Sequence, residues 1–227
     1  MSDIKGSINV IYRTLKGTIY PLVIGYAVLP SAHIPVDKEL TLKACKEGCG
    51  LYGLNGGCPP FSPHFKEICG TEILILYARI NTCNYPPRVL HGSYYTRWVF
   101  VETFMTSLTN RVGKSIAKLL NGYFLSSGNC HVCRPKRCAV KDGHKCRKPV
   151  ERTYSLESTG VLVIDLMKNC FNLDLQWWKK DIQDYIPEFM VKVIGIARKE
   201  FFNSLETKSA ILNSIQNDRI EIREKII

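Results

Sequence analysis

The segment Ile73-Leu74-Ile75-Leu76-Tyr77-Ala78 is a short, continuous apolar run, and it predicts a buried strand. Toward the N-terminus, Ile8 to Tyr12 and Tyr20 to Leu29 are β-branched and aromatic runs separated by a glycine, an arrangement typical of a hairpin. Glu39 to Lys43 alternates polar and apolar residues, as strands do, and leads into the first cysteine. The N-terminal third is therefore expected to be rich in strands.

Toward the C-terminus, the longest helical pattern runs from about Arg97 to Asn121. Apolar residues recur there every three or four positions and predict one buried stripe. The stripe consists of Phe100, Phe104, Leu108, Val112, Ile116, Leu119 and Tyr123. We expect this helix to pack on the sheet that contains the buried strand.

The last third of the sequence mixes helices with one strand. Helices are expected from Ser158 or Gly160 to Asn169 and over Asp174 to Tyr185, which Pro187 follows. Phe189 to Ala197 predicts a strand. The spacing of the apolar residues after position 200 predicts a final helix before a charged tail.

The fold class predicted from these elements is α/β or α+β, a single mixed domain with two cysteine-rich metal-binding loops. We assign residues 1–200 to the metal-binding domain and residues 201–227 to the C-terminal helix and charged tail. No stretch approaches the roughly 18–20 apolar residues that span a bilayer, and the N-terminus lacks a signal pattern. A cytoplasmic protein with no membrane partner is therefore expected.

Four closely spaced thiols, Cys130, Cys133, Cys138 and Cys146, form what we call the second cluster. A Cys-x2-Cys turn lets two thiolates bind the same metal group, and the later pair closes the site from another direction. The spacing suits tetrahedral zinc and equally an iron–sulfur cluster held by four thiolates. We expect all four to be metal ligands, with a purely structural zinc knuckle as the simplest form of such a site.

The first cluster comprises Cys45, Cys49 and Cys58, and the last of these is followed by two prolines. A cysteine followed by proline is frequent in ferredoxin-type sequences. Three thiolate ligands leave a fourth position open, which a reactive metal site needs and a structural site does not. His64 is a candidate fourth ligand, and an ordinary exposed loop histidine is the simpler interpretation.

The remaining cysteines, Cys69, Cys83 and Cys170, share no spacing with either cluster. We expect them to be buried and to behave as small apolar residues. A disulfide between Cys69 and Cys83 is the alternative. In the reducing cytoplasm, clustered thiols favour metal binding over disulfides.

The formal net charge of +11 is concentrated in residues 134–152, which hold eight Lys or Arg residues and two acidic ones. A basic segment of this kind predicts a nucleic-acid or acidic protein partner. Cations beside thiolates also lower the pKa of cysteine and stabilise bound metal, so both interpretations stay open. Trp177 and Trp178, followed by two lysines, are candidates for stacking on bases, or alternatively for packing in the core.

The order of these motifs resembles an uncharacterised family of predicted metal-binding proteins, domain of unknown function 2284, over about residues 35–200. The matching stretches are Leu42-Lys43-x-Cys45-x3-Cys49-x2-Tyr52-x5-Cys58-Pro59-Pro60, Gly128-Asn129-Cys130-His131-x-Cys133, Gly143-x2-Cys146-Arg147-x-Pro149-x-Glu151-Arg152 and Ser155-x-Glu157-x2-Gly160. The resemblance implies an iron–sulfur type of metal binding and carries no established reaction.

A polar run, Arg152, Ser155 and Glu157, lies just after the second cluster. It is a candidate for binding an anion or positioning a substrate beside the metal. The simpler interpretation is a helix cap at Ser155, with Glu157 in the first turn where the helix dipole favours it.

Two functional hypotheses follow. The first is an iron–sulfur protein with one or two clusters, of the [4Fe-4S] type, in a redox or sulfur-related role with a redox or acidic protein partner. The second is a zinc-stabilised protein that binds nucleic acid through residues 134–152. A further alternative is that all seven clustered cysteines form one composite site. The sequence specifies no reaction.

Overall fold

The computed structural model describes residues 4–182, 185–218 and 220–226, and within them the chain is a mixed α/β structure built on a single sheet. Its seven strands are β1 Lys5–Arg13, β2 Ile19–Pro30, β3 Glu72–Asn81, β4 Tyr123–Ser126, β5 Tyr154–Ser155, β6 Phe189–Arg198 and β7 Ile220–Ile226. Its α-helices are α1 Lys38–Gly48, α2 Phe65–Ile68, α3 Pro87–Leu90, α4 Tyr94–Phe100, α5 Thr106–Leu119, α6 Val163–Phe171 and α7 Ser204–Asn217.

The strand order is β5-β4-β6-β3-β2-β1-β7, so the apolar run quoted above forms the central strand. All neighbours pair antiparallel except β4 and β5, which are parallel. The predicted hairpin of β1 and β2 is confirmed, with Ile8 opposite Ile24. The predicted strand over Phe189 to Ala197 is confirmed as β6.

The central part of β3 is continuously apolar, as suits a strand with both faces of its sheet covered. Leu74 and Leu76 belong to the larger core, which α5 and α7 also line. Ile73 and Ile75 belong to a smaller core on the other face, which includes Leu166 of α6. Alternate side chains of one strand thus enter two separate cores.

The long helix predicted over Arg97 to Asn121 is confirmed, with an unexpected five-residue π-helix, Val101–Met105, joining α4 to α5. A π turn shifts the helical phase, so the buried residues differ in part from the predicted stripe. The large apolar residues that are buried are Val101, Met105, Leu108, Val112, Ile116 and Leu120. Leu119 was expected inside and is 52% exposed.

The interpretation of Glu39 to Lys43 as a strand is wrong, because these residues form part of α1. Asp37 caps this helix, and its side chain accepts a hydrogen bond from the Leu40 N–H at 2.8 Å. An alternation of five residues is too short to outweigh a strong N-cap and several good helix formers.

Two helix predictions in the last third need correction. The helix expected from residue 158 or 160 begins only at Val163, because Gly160 adopts a left-handed conformation with φ +106° and separates it from a short 3-10 turn over Glu157–Thr159. Residues 174–182 and 185 contain no helix. Residues 183 and 184, which the same prediction included, lie outside the described residues.

The C-terminal part of the chain adds to the same sheet and core. The predicted final helix is confirmed as α7, where Ile211 and Ile215 are fully buried in the larger core. Strand β7 then pairs antiparallel with β1 at the edge of the sheet, with Ile220 opposite Tyr12.

Candidate metal centre

The first cluster begins on a helix. Cys45 lies on α1, and Cys49 ends that helix with its backbone N–H donating to Cys45 O at 3.0 Å. The expectation that both clusters lie on loops is therefore wrong for Cys45, because the helix capped by Asp37 extends through it. Residues four apart share one helix face, so the Cys-x3-Cys spacing places the two thiols together at the helix end.

Cys58 lies across from that helix end and is only 7% exposed. Burial and then the negative charge of Cys49, Cys45 and Cys130 raise its pKa to about 12. Burial, followed by Cys49 and Glu157, likewise raises the pKa of Cys45. Thiols that raise one another's pKa lie within electrostatic range, and a bound cation would relieve the repulsion among them.

The second cluster surrounds a cavity of about 400 Å³, which all four of its thiols line: Cys130, Cys133, Cys138 and Cys146. Asn55, Gly56 and Arg152 reach the same cavity from other parts of the chain. The four thiols of the second cluster therefore line one common, partly open cavity.

Cys138 has the environment of a thiolate. Burial alone would raise its pKa, but the backbone N–H groups of Gly56, Val140 and Lys141 and the charge of Arg152 lower it. The Gly56 N–H donates to Cys138 Sγ at 3.2 Å. Hydrogen bonds of this kind favour the ionised sulfur that metals bind.

The segment Asn55-Gly56-Gly57 joins the two clusters. Asn55 Nδ2 donates to Cys130 O at 2.6 Å, and Asn55 Oδ1 accepts from the Gly57 N–H at 3.0 Å. A Cβ at Gly57 would lie 2.4 Å from Thr153 O and 2.7 Å from Cys130 Cβ, so only glycine fits there. This close approach places the loop of the first cluster directly against the second.

Arg152 fixes this loop from the other side. Its guanidinium donates to Gly56 O through Nε at 2.9 Å and to Phe61 O through Nη2 at 2.8 Å, and it stacks on Tyr154 at 4.8 Å. From the sequence, Arg152 is a candidate for binding an anion. In the structure its donors bind carbonyl oxygens of the first cluster's loop.

Lys38 is a site residue that the sequence analysis missed. Its ammonium group donates to Ser62 Oγ at 3.0 Å, to Pro63 O at 3.1 Å and to Ser158 O at 2.5 Å. Ser158 Oγ in turn donates to Gly57 O at 3.0 Å. A lone lysine at a helix start carries no sequence signal for this role, because its partners are 24 to 120 residues away.

The predicted helix cap at Ser155 is not formed, because Leu156 occupies the N-cap position of the short 3-10 turn Glu157–Thr159 and Ser155 lies one residue before it. The Ser155 Oγ accepts from the Ser158 N–H at 3.0 Å. Burial raises the pKa of Glu157, whose charge also raises the pKa of Cys45 and Cys58. This carboxylate is thus part of the electrostatic environment of the first cluster.

His64 caps α2, where its Nδ1 accepts from the Lys66 N–H at 3.1 Å and Glu67 completes a capping box. A structural role therefore accounts for one of the two imidazole nitrogens. Among the described residues, His64 makes no hydrogen bond to a cysteine of either cluster.

The three isolated cysteines are free thiols. Cys69 and Cys170 were expected to be buried and are partly buried against the smaller core, whereas Cys83 is exposed, contrary to expectation. The alternative disulfide is excluded because Cys69 precedes and Cys83 follows the ten-residue strand β3, which separates them by roughly 30 Å.

The basic residues of the second cluster are mostly exposed. They include Arg134, Lys136, Arg137, Lys145, Arg147 and Lys148, and the first three line the cavity. Trp178 is buried in the larger core with Arg97 over its ring at 4.8 Å, which confirms the packing interpretation for it. Trp177 is 53% exposed.

The thiols of the second cluster are suited to a metal group that is bound by thiolates. Within residues 4–182, 185–218 and 220–226, no three His, Cys, Asp or Glu side chains converge closely enough to hold one metal ion. The four thiols around the cavity, the N–H bond to Cys138 and the glycine contact at Gly57 nevertheless form a site whose chemistry suits thiolate-bound metal. The assignment of individual ligands stays a prediction.

The fold and this thiol-lined cavity define a metal-binding α/β protein. A comparison with protein-family models then places the chain: residues 27–193 match the family described as predicted metal-binding protein, domain of unknown function 2284, and the chain belongs to that family. A search of curated proteins and a search of solved structures each found no significant match. No helix in the described part of the chain is long and apolar enough to cross a membrane.

Proposed function

We propose that this protein binds iron–sulfur clusters and serves in redox or sulfur-related chemistry. The observation that carries the proposal is the cavity of about 400 Å³ lined by Cys130, Cys133, Cys138 and Cys146. Thiolates are the usual protein ligands of [4Fe-4S] clusters, and four of them complete such a site.

The arrangement of these thiols favours a polynuclear cluster over a single zinc ion. In a tetrahedral zinc site all four sulfurs bind one atom at about 2.3 Å and must converge on it. In an iron–sulfur cluster the thiolates bind different iron atoms and face a larger common volume. The four thiols here line one common cavity of about 400 Å³, and this shared volume supports the cluster.

The first cluster would hold a second, adjacent metal group through Cys45, Cys49 and Cys58. The effect of Cys130 on the pKa of Cys58 supports neighbouring sites. A metal group held by only three thiolates would retain an open coordination position. At that position the metal group would supply electron transfer or Lewis-acid chemistry.

The chain's own residues tune such a site. The Gly56 N–H and the Arg152 guanidinium both stabilise negative charge at Cys138. Hydrogen bonds to cluster sulfurs and nearby cations raise the reduction potential, because they favour the more negative reduced state. The exposed lysines and arginines around the cavity suit an acidic redox partner.

The test is to purify the protein without oxygen and to measure iron, acid-labile sulfide, zinc and the visible spectrum together. We expect iron and sulfide in matching amounts and broad visible absorption. Cys138→Ser should lower both, whereas the matched variant Cys83→Ser, at an exposed cysteine outside both clusters, should leave them unchanged. A colourless protein with stoichiometric zinc would contradict the proposal.

A zinc-stabilised nucleic-acid-binding protein is the second candidate. The exposure of Arg134, Lys136 and Arg137 at the cavity supports it, since free cations of this kind contact phosphates. Binding through phosphates weakens steeply with salt. Titration of single-stranded DNA and RNA at two salt concentrations therefore distinguishes this candidate from the first.

A further inference from the structure

A second groove, of about 560 Å³, runs along the long helix and meets the metal cavity at one end. The two spaces share Asn129, His131 and Arg134 as lining residues. No role considered so far uses this groove.

The floor of the groove is one face of the helix formed by α4, the π-helix and α5. Its residues Val99, Thr103, Thr106, Asn110 and Lys114 follow one another at intervals of three or four. At 1.5 Å per residue this face extends over about 22 Å. The groove therefore suits an elongated ligand better than a single ion.

The charge in the groove is positive after internal ion pairs are considered. Arg111 is paired with Asp218 at 2.8 Å, and Glu102 is paired with Lys192. Lys114 and Arg134 have no ion pair within the described residues. Of these two cations, Arg134 lies where the groove adjoins the metal cavity, and Lys114 lies toward the C-terminal end of the helical face that lines the groove.

Apolar and polar groups complete the lining. Trp98 is 44% exposed and stacks on Tyr95 at 6.2 Å, and Leu51, from the loop of the first cluster, is 39% exposed. Asn110 Oδ1 is buried and has no hydrogen-bond partner among the described residues. A buried polar atom without a partner is unusual and is satisfied when a ligand or water occupies the groove.

We propose that this groove binds an organic anion, a carboxylate or phosphate ester with an apolar body. The anionic group lies at Lys114 and Arg134, and the body extends along the helix toward Leu51 and Trp98. The inference goes beyond the proposed function, because it rests on the residues of the groove and not on the identity of the metal. It places a ligand site directly beside the metal cavity.

The test uses protein purified without oxygen, with its metal content measured, and isothermal titration with biphenyl phosphate. We expect binding of biphenyl phosphate and no detectable binding of its neutral analogue biphenylmethanol. Lys114→Glu should weaken binding about tenfold or more, as expected for loss of a charge-assisted contact. Lys118→Glu, at an exposed lysine of the same helix outside the groove, is the matched control and should have no effect.

Trp98→Leu provides an independent readout. It should weaken biphenyl phosphate several-fold and leave the weaker binding of inorganic phosphate unchanged, because only the organic body reaches the indole. Equal binding of the neutral analogue, or equal loss in both lysine variants, would overturn the inference. So would much tighter binding of a single-stranded oligonucleotide that Lys114→Glu abolishes, since the groove would then serve nucleic acid.

The metal measurement separates the two proposals. If iron and sulfide are present and biphenyl phosphate does not bind, the groove inference fails and the proposed function stands. If the anion binds with the expected dependence on Lys114 while the metal is zinc, the proposed function fails and the groove inference stands.

Discussion

The backbone N–H of Gly56 donates a hydrogen bond to Cys138 Sγ at 3.2 Å, and it connects the two cysteine clusters across 82 residues of sequence. Gly56 lies between Cys49 and Cys58, so the loop of the first cluster supplies a donor to a thiol of the second. The two clusters are therefore neighbours that share one stretch of backbone, and a change in that stretch should affect both.

Gly57→Ala tests this shared backbone. The new Cβ would lie 2.4 Å from Thr153 O and 2.7 Å from Cys130 Cβ, so the loop must move away from the second cluster. Overpacking of this kind costs about 1–3 kcal/mol, and we expect the metal content to fall as well. Urea unfolding and metal analysis measure the two effects.

Gly48→Ala is the matched control, because a Cβ at this helical glycine meets no atom within 4 Å. It should leave metal content unchanged and raise stability slightly, since alanine is the better helix former. Unchanged metal content in Gly57→Ala would show that the close approach of the loop is dispensable.

Lys38→Met tests the contact between α1, the loop of the first cluster and the turn near Ser158. Methionine keeps most of the apolar stem and removes the hydrogen bonds that the ammonium group donates to Ser62, Pro63 and Ser158. Burial lowers the pKa of Lys38, and this desolvation offsets part of their energy. We expect a loss of about 2 kcal/mol in the free energy of unfolding.

Lys46→Met, at an exposed lysine of the same helix, should change stability by less than about 0.5 kcal/mol. Thermal unfolding of both variants gives the comparison. Similar losses in the two would indicate that any lysine on α1 contributes equally and would contradict the specific role of Lys38.

Arg152→Lys preserves the charge and removes the planar fork that binds Gly56 O and Phe61 O together. An ammonium group cannot reproduce this geometry, so we expect lower metal content and a more mobile loop. Metal analysis and limited proteolysis near Phe61 measure these effects. Arg147→Lys, at an exposed arginine with one carbonyl contact, should behave as the unaltered protein.

Ile75→Ala tests the smaller core beneath the metal centre. Ile75 of β3 is completely buried against the elements around α6. Its truncation should lower the free energy of unfolding by about 2–5 kcal/mol. Ile164→Ala removes the same atoms at a site that is 58% exposed and should cost much less. Denaturant unfolding compares them, and equal costs would contradict the assignment of Ile75 to the core.

Much of the fold follows from local sequence patterns. The runs that form β1, β2, β3 and β6 are long, apolar and rich in β-branched residues, so their type was predictable. The predictions failed where a local pattern was short or was overruled by contacts. The alternation over Glu39 to Lys43 is overruled by the Asp37 cap, and the described residues after Asp174 form no helix although Trp178 is buried in the larger core.

The sequence by itself grouped the four thiols of the second cluster, which line one cavity in the structure, because cysteine spacing is a local property of the chain. It also determined that β3 is buried, since six consecutive apolar residues cannot stand exposed. Only the tertiary structure brought Gly56 to Cys138, Lys38 to Ser158 and Arg152 to the loop of Cys58, because each contact joins residues far apart in the chain. Such pairings depend on how the helices and loops pack against the sheet, and no local pattern encodes them.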